Sequence, residues 1–388
     1  MRRVTGEFDR CATTEEVVRA FVPYPLPPRD PPLALDGRVG ELLVTANARL
    51  RELELAGDLV PSIEWFVYAF VRKEAILSAQ IEGTQATLMD LLAVEASSEA
   101  PVGADVEEVC GYLAAVGYAW DQLVAPDGLP ISMRLLSQTH RRLLQGARGA
   151  HKQPGEVRRS QNWIGGTRPG NAAFVPPPPH RLPELLSEFE RAIHDDSDLP
   201  PLIRVACLHV QFETLHPYLD GNGRLGRLLI TLLLRHWGLL TRPLLYLSLY
   251  LKRYRSEYYR RLSAVRSDGD WEGWLEFFLE GVAQVAEETV DTARALHAVV
   301  EQGRKRLLGN DDVTVLSLRL FELLPKNPIL SVNRAMELLS CSRPAAAKAL
   351  DALESAEIMF PRDHHRRNRV LIFDEYLSYL RQDTELDG

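Results

Sequence analysis

"LIRVACLHVQFETLHPYLDGNGRLGRLLITLLLRHW" (Leu202–Trp237) decides how this chain is built. Two apolar runs of helical length flank a polar stretch, His216–Arg227. The residue before a proline avoids helical backbone, so Pro217 ends the first helix near Leu215 and leaves His216 at its tip. Gly221-Asn222-Gly223 can take positive φ and turn successive N–H groups inward, forming an anion nest. The second helix, which runs through Trp237, adds its positive end to the same spot.

The side chains around that nest suit phosphate chemistry. A neutral imidazole has an unperturbed pKa of about 6.5, so His216 can accept a proton from a hydroxyl near neutral pH. Arg224 and Arg227 lie three residues apart, hence on one helical face, where guanidinium groups grip phosphate oxygens bidentately. Asp220 sits just before the nest, placed to hold Mg²⁺ against those phosphates with water completing the octahedron. Together they make an anchored polyphosphate, a metal and a base for an incoming hydroxyl. That is nucleotide chemistry.

Further out, the chain reads as mostly helical. Residues 1–35 read as irregular, because "FVPYPLPPRDPP" (Phe21–Pro32) removes donors and restricts each residue before a proline. Apolar periodicity predicts helices over Leu35–Leu55, from Pro61 to a glycine stop at Gly83, and over Ala86–Ala96, Val106–Leu123, Ser132–Leu144 and Leu182–His194. Long helices also follow Trp237. Gly155–Pro179, "GEVRRSQNWIGGTRPGNAAFVPPPP", breaks the pattern and reads as a β-hairpin with a proline-rich exit. An exposed hairpin of this kind offers an unpaired edge to another chain; a plain connector loop is the alternative. Composition shifts after Gly309-Asn310, where a separate module begins.

The stretch His216–Arg227 resembles the motif of the Fic family, HPFx(D/E)GNGRxxR, with Tyr218 where the family usually has Phe. The resemblance implies a Fic helical core with a β-hairpin flap and transfer of AMP from ATP to a Ser, Thr or Tyr hydroxyl of a target protein. It implies that His216 is the general base and that Asp220 binds Mg²⁺. Gly221, Asn222 and Gly223 would cradle the α- and β-phosphates, with Arg224 and Arg227 on the β- and γ-phosphates. Gly223 is the residue that favours AMP transfer over the phosphotransfer of another branch. Gly155–Pro179 is similar to the family's flap, with Trp163, Ile164 and Gly165 as the edge that pairs with a target segment. In "KRYRSEYY", Tyr254 stands where the family's adenine-site Asn is sought, ahead of Tyr258-Tyr259.

"SAQIEGTQATLMDLL" (Ser78–Leu92) ends a hydrophobic helix on a glutamate just before glycine. A carboxylate there opposes the helix dipole and is better placed beside a cation; the plain alternative is a C-terminus with Gly83 as its C′ residue. The segment resembles the Fic inhibitory motif, (S/T)xxxE(G/N), through Ser78, Glu82 and Gly83. That resemblance implies that Glu82 pairs with Arg227, diverts it from the γ-phosphate and holds ATP in an unproductive pose. It also implies self-modification once the brake is lifted; removal of AMP from the target is left open.

Residues 312–380 read as three helices and a hairpin, and "SVNRAMELLSCSRPAAAKALDALESAEIMF" followed by "PRDHHRRNRVLIF" resembles a winged helix-turn-helix. Val315, Leu316, Leu318, Leu320, Leu323 and Leu324 are expected in its core. Arg366, Arg367 and Arg369 are its best phosphate contacts, but Asp351, Glu354 and Glu357 oppose a DNA backbone, so DNA and another protein chain both stay open as its partner. The expected division is an N-terminal helical inhibitory region (1–120), a Fic core (121–300) and the winged module (308–388). A net charge of −8 argues against a global nucleic-acid or membrane surface. The 46% hydrophobic and 25% charged content fits a globular protein. Scattered Cys11, Cys110, Cys207 and Cys341 and the lack of a leader or membrane-length apolar run point to a reduced, cytoplasmic setting. A homodimer is the family's analogy. Two alternatives stand beside the lead reading: a DNA-binding regulator with a nucleotide-sensing Fic core, and transfer of UMP or GMP.

Overall fold

The computed structural model describes residues 3–12, 16–59, 63–96, 103–146, 149, 151–362 and 369–386. Its first element is one the sequence reading missed. Strands β1 (Gly6–Ala12) and β2 (Val17–Pro23) form an antiparallel hairpin in the register Gly6↔Pro23 to Ala12↔Val17. The proline cluster misled because it begins only at Pro23. Ahead of it, Val18, Ala20 and Val22 are buried at the two-residue interval of a strand with one face on a core.

Helices α1 (Gly37–Leu59), α2 (Ile63–Ile81), α3 (Leu88–Ala96), α4 (Ala104–Val124) and α5 (Met133–Leu143) follow. Expected and observed spans agree to within a few residues, with Pro61 outside the described residues. Gly83 stands past the end of α2 at φ +97°, a backbone that favours glycine. Next come α6 (Leu182–His194), α7 (Pro201–Leu215), α8 (Asn222–His236), α9 (Ser248–Arg253), α10 (Arg255–Asp268) and α11 (Trp271–Leu308). The centre belongs to α7, where every residue from Leu202 to Leu215 except Arg204 is buried. A helix apolar on all sides must be wrapped by others. Here α8 packs along it, α6 and α11 close further sides, and α1 runs beside α11.

The flap is shorter than a full hairpin. Ile164 and Phe174 form one bridge pair, with N–H···O bonds of 2.9 and 3.1 Å. The glycines and prolines around that pair leave no room for a longer ladder. Phe21 of β2 donates to the Val175 carbonyl (2.9 Å), and Glu16 takes hydrogen bonds from Arg168 and from the Gly170 N–H. The N-terminal hairpin therefore backs the flap on its Phe174–Val175 side. Among the described residues no strand pairs with the other side, where Trp163 is 39% exposed.

Beyond α11 lie α12 (Val315–Leu323), α13 (Val332–Leu339) and α14 (Arg343–Ser355), with a three-stranded antiparallel sheet. Its order is β3 (Ile329–Ser331), β5 (Val370–Ile372), β4 (Phe360–Pro361). Of the expected core residues, Leu320 and Leu324 are fully buried, but Val315 is 74% exposed because it opens α12 just after its cap, Thr314. Arg366 and Arg367 lie outside the described residues. Helix α15 (Asp374–Arg381) packs back on α11, α2 and α3. No helix among the described residues is long and apolar enough to cross a membrane.

Candidate active site

Helix α7 ends as Pro217 requires, on a residue with left-handed backbone. His216 has φ 47° and ψ 59°, and its N–H still bonds the Phe212 carbonyl at 3.0 Å. A non-glycine residue there is strained by about 1–2 kcal/mol, so its surroundings must impose it. Arg158 does so. Buried under the flap, its guanidinium donates to the carbonyls of His216 (2.9 Å) and Pro177 (2.6 Å), and its N–H donates to the Pro217 carbonyl (2.9 Å). Asn162 adds a bond to the Tyr218 carbonyl at 3.1 Å. Nδ1 of the His216 ring is buried with no hydrogen-bond partner. Burial, then the charges of Arg158 and Arg266, push this imidazole down to about 3. The ring is uncharged near neutral pH.

Between the helices the loop is braced from inside. The Asn222 carboxamide accepts from the Tyr218 N–H (2.9 Å) and donates to the Tyr218 carbonyl (2.8 Å). That side chain is thus spent on the loop, and only its backbone is left for an anion. Of the three nest residues, Gly221 alone has positive φ, +74°, as the cap of α8. Gly223 is helical and small for another reason: a Cβ there would lie 2.3 Å from Glu82 Oε1. The extra hydroxyl of Tyr218 finds Ser137 Oγ at 3.0 Å, while its ring stacks on His140 at 3.9 Å. Asp220 keeps a 41% exposed carboxylate, whose Oδ1 accepts from the Gly221 N–H (2.6 Å) and lies 3.6 Å from Arg224.

The two arginines live differently. Arg224 lies 3.5 Å from Glu108 of α4, itself bonded by Thr84 Oγ1 at 2.7 Å, and its Nε is buried without a partner. Arg227 is held along one edge: Nε donates to Ser78 Oγ (2.9 Å), and Nη2 to the Ser78 carbonyl (2.9 Å) and Glu82 Oε1 (2.8 Å). Burial would raise the Glu82 carboxyl, but Arg227, with help from Arg224, outweighs it and holds the group below the usual carboxylate range. The end of α2 and the start of α8 are therefore joined by an ion pair across the nest.

Other expected residues land in different places. Tyr254, 42% exposed, sits between α9 and α10 and packs on Tyr250 at 4.7 Å. Tyr258 is buried, its hydroxyl 2.8 Å from His209 Nε2, so it serves the core. Ile164 is the paired residue of the flap, its N–H and carbonyl both spent on Phe174, Trp163 precedes it on the exposed side, and Gly165 turns the chain at φ +68°. The sequence reading missed Ser137, His140, Arg158, Asn162 and Glu108. Ser137 and His140, three apart and so on one face of α5, were the available signal. Glu213, one turn before His216, was missed as well: it is buried, its Oε1 lacks a partner, and burial raises its carboxyl to about 7.

A metal can be tested against this donor set. Among the described residues no cluster of three or more His, Cys, Asp or Glu could hold one. A lone half-exposed carboxylate beside an anion nest is instead the Mg²⁺ pattern, in which substrate phosphates and water complete the shell. The residues fit.

Two family models match the chain, the Fic/DOC family N-terminal region over residues 40–121 and the Fic/DOC family over 130–234. The chain belongs to the Fic family. Its relatives include the protein adenylyltransferase Fic of Drosophila persimilis, 31% identical over 275 residues, 67% of this chain and 49% of that one. The Drosophila melanogaster protein of that name is 31% identical over 222 residues, 55% of this chain and 40% of that one. The chain thus spans about half the length of the curated relatives it matches. A Fic family protein from Desulfovibrio desulfuricans G20 shares the fold over 88% of this chain and 98% of its own, with a TM-score of 0.56 at 22% identity. A Fic domain containing signaling protein from Bacteroides thetaiotaomicron covers 66% of this chain and 97% of its own, with a TM-score of 0.51 at 17% identity. These likenesses bear out the mainly helical Fic fold.

Proposed function

We propose that this Fic protein is an autoinhibited protein adenylyltransferase that moves AMP from ATP to a Ser, Thr or Tyr hydroxyl of a target protein. The single observation that carries the reading is a neutral imidazole with an unpartnered Nδ1 beside a glycine-capped helix start whose arginine is held by Glu82. The acceptor oxygen attacks the α-phosphorus, the bond to the α–β bridging oxygen breaks, pyrophosphate leaves, and the proton passes to His216. Such a base contributes roughly 10²–10⁴-fold. The phosphates bring negative charge that opposes Arg158 and Arg266, which raises the basicity of the ring once ATP is bound. Asp220 would hold Mg²⁺, which supplies charge neutralisation at the departing pyrophosphate. Gly221, the backbone of Asn222, and Gly223 receive the phosphates, with Arg224 on them. Arg227 joins only when Glu82 lets go. The Trp163–Gly165 side of the flap is where a target segment adds as a strand.

The test is incubation with ATP and Mg²⁺ followed by intact-mass measurement. Self-labelling by one AMP is expected to rise in Glu82→Gly and to vanish when His216→Ala is added. Labelling that survives without the imidazole would sink the mechanism, and equal labelling with and without Glu82 would sink the brake. Because Tyr254 departs from the family pattern, parallel reactions with GTP and UTP decide the base. DNA binding as the main role is disfavoured by one contact: Arg369 is paired with Asp351 (2.8 Å) and Glu354 (2.7 Å) of α14, leaving it little charge for phosphates.

A further inference from the structure

His140 lies on α5, outside the recognised motif, and its ring is completely buried. Both of its nitrogens are used. Nδ1 accepts from the Gly155 N–H at 2.8 Å, so Nε2 carries the proton and donates to the Asp220 carbonyl, also at 2.8 Å. Its face stacks on Tyr218 with an interplanar angle of 12°. A core-filling histidine needs none of these partners in particular; this one joins the start of the flap to the residue that meets the metal.

The geometry of Asp220 gives that joint a consequence. The Asp220 carbonyl and the Gly221 N–H belong to one planar peptide unit. The carbonyl end is fixed by His140, and the N–H end holds Asp220 Oδ1 at 2.6 Å. Rotation of that plane would take the carbonyl off its donor and release the carboxylate together. Gly221 offers little resistance to such a rotation, since glycine tolerates both signs of φ. The restraint has to come from His140.

We propose that His140 is a positioning residue for the divalent-cation site: it locks the Asp220–Gly221 peptide and so aims the Asp220 carboxylate at the metal that accompanies the nucleotide. This rests on the reading above that Asp220 meets that metal. Outer-shell partners of this kind change metal affinity by roughly 10–100-fold when removed.

The test uses the full chain carrying Glu82→Gly, with ATP affinity measured by calorimetry with and without Mg²⁺ and with half-saturating Mg²⁺ measured by AMP incorporation. His140→Phe keeps the stacked ring and removes both hydrogen bonds. Half-saturating Mg²⁺ is expected to rise about tenfold or more, with metal-free ATP affinity within about twofold; His140→Gln, which keeps a donor and an acceptor, recovers most of the loss. If His140→Phe does not fold, His140→Asn, too short to reach both partners, replaces it. An unchanged Mg²⁺ requirement overturns the proposal, and so does an equal loss of metal-free ATP binding, the mark of a merely structural residue. Asp220→Ala separates the two layers. If that variant leaves the Mg²⁺ requirement intact, the metal reading itself fails; if it raises the requirement and His140→Phe does not, only the role of His140 fails.

Discussion

The His216–Arg227 loop and the C-terminal helices α12–α15 carry their charges differently. Around the loop, polar groups are buried and several stand without partners: Glu213 Oε1, His216 Nδ1 and Arg224 Nε. Around the C-terminal helices most charges sit at the surface and pair with one another, as Arg369 does with Asp351 and Glu354, though Arg334 Nε and the Tyr376 hydroxyl are buried without a partner there too. A buried, unsatisfied group is costly, so it persists where chemistry uses it; a surface pair contributes little and answers to solubility and packing. The contrast explains why one region discloses its chemistry and the other discloses only its fold.

The largest effect that could break this contrast concerns Glu213. Its folded pKa of about 7 lies above the ordinary carboxylate value, so between roughly pH 4.5 and 7 the folded state holds a proton that the unfolded chain has lost. The sign follows: wild type loses stability relative to Glu213→Gln as pH rises through that window, by on the order of 3 kcal/mol at pH 8. Thermal melts of both proteins from pH 5 to 8 read it directly. Curves that stay parallel would mean that Glu213 is ionised and partnered, and the claim of an unsatisfied carboxyl buried beside the loop would go.

Next in size is the pair at the brake. The Glu82 carboxylate is 38% exposed, so solvent screens part of its attraction to Arg227. The contact is worth about 1–2 kcal/mol, or roughly tenfold in the fraction of productive ATP. Glu82→Gly should therefore raise initial self-labelling about tenfold. Ser78→Ala, which leaves the backbone carbonyl bond to Arg227 in place, should raise it only about twofold to threefold. Because the folded pKa of Glu82 is depressed, the pair persists at neutral pH and is lost only as pH falls below the carboxylate range. The gain from Glu82→Gly should thus be flat from pH 6 to 8. A gain that grows as pH rises across that range would place the switch on another group.

How much of this was legible beforehand follows the same line. His216, Asp220, Gly221, Arg224 and Arg227 could be placed together because they fall within twelve residues, around a turn that Pro217 and the positive φ of Gly221 fix. Glu82 and Ser78, some 150 residues away in the chain, were reached only through the second motif, and the contact between the segments is a tertiary fact. Arg158, Asn162 and His140 escaped because they act on backbone carbonyls, and nothing local marks a carbonyl as needing a donor. The β1–β2 hairpin escaped because prolines at its end outweighed a short alternation before it. The flap was placed correctly, yet its backing by β2, through the Phe21 N–H on the Val175 carbonyl, was not suggested by the sequence.

The smallest effect belongs to the module. Arg369 is 29% exposed, and its two carboxylate partners are themselves partly solvated, so Arg369→Ala should change stability by less than about 1 kcal/mol. Since its charge is already neutralised within the protein, removing it should also alter retention of random duplex DNA by no more than about twofold, within a non-specific range of about 10⁻⁴–10⁻⁶ M. Gel shifts of wild type and Arg369→Ala across a salt series measure both the affinity and its slope. A shallow slope shared by the two proteins fits a module whose charges are turned on one another. A steep slope that drops by about one when Arg369 is lost would mean that the arginine leaves Asp351 and Glu354 for phosphate. In that case the contrast between the regions would describe only the unliganded protein, with the module's ion pairs acting as placeholders, the part the proposed brake gives to Glu82.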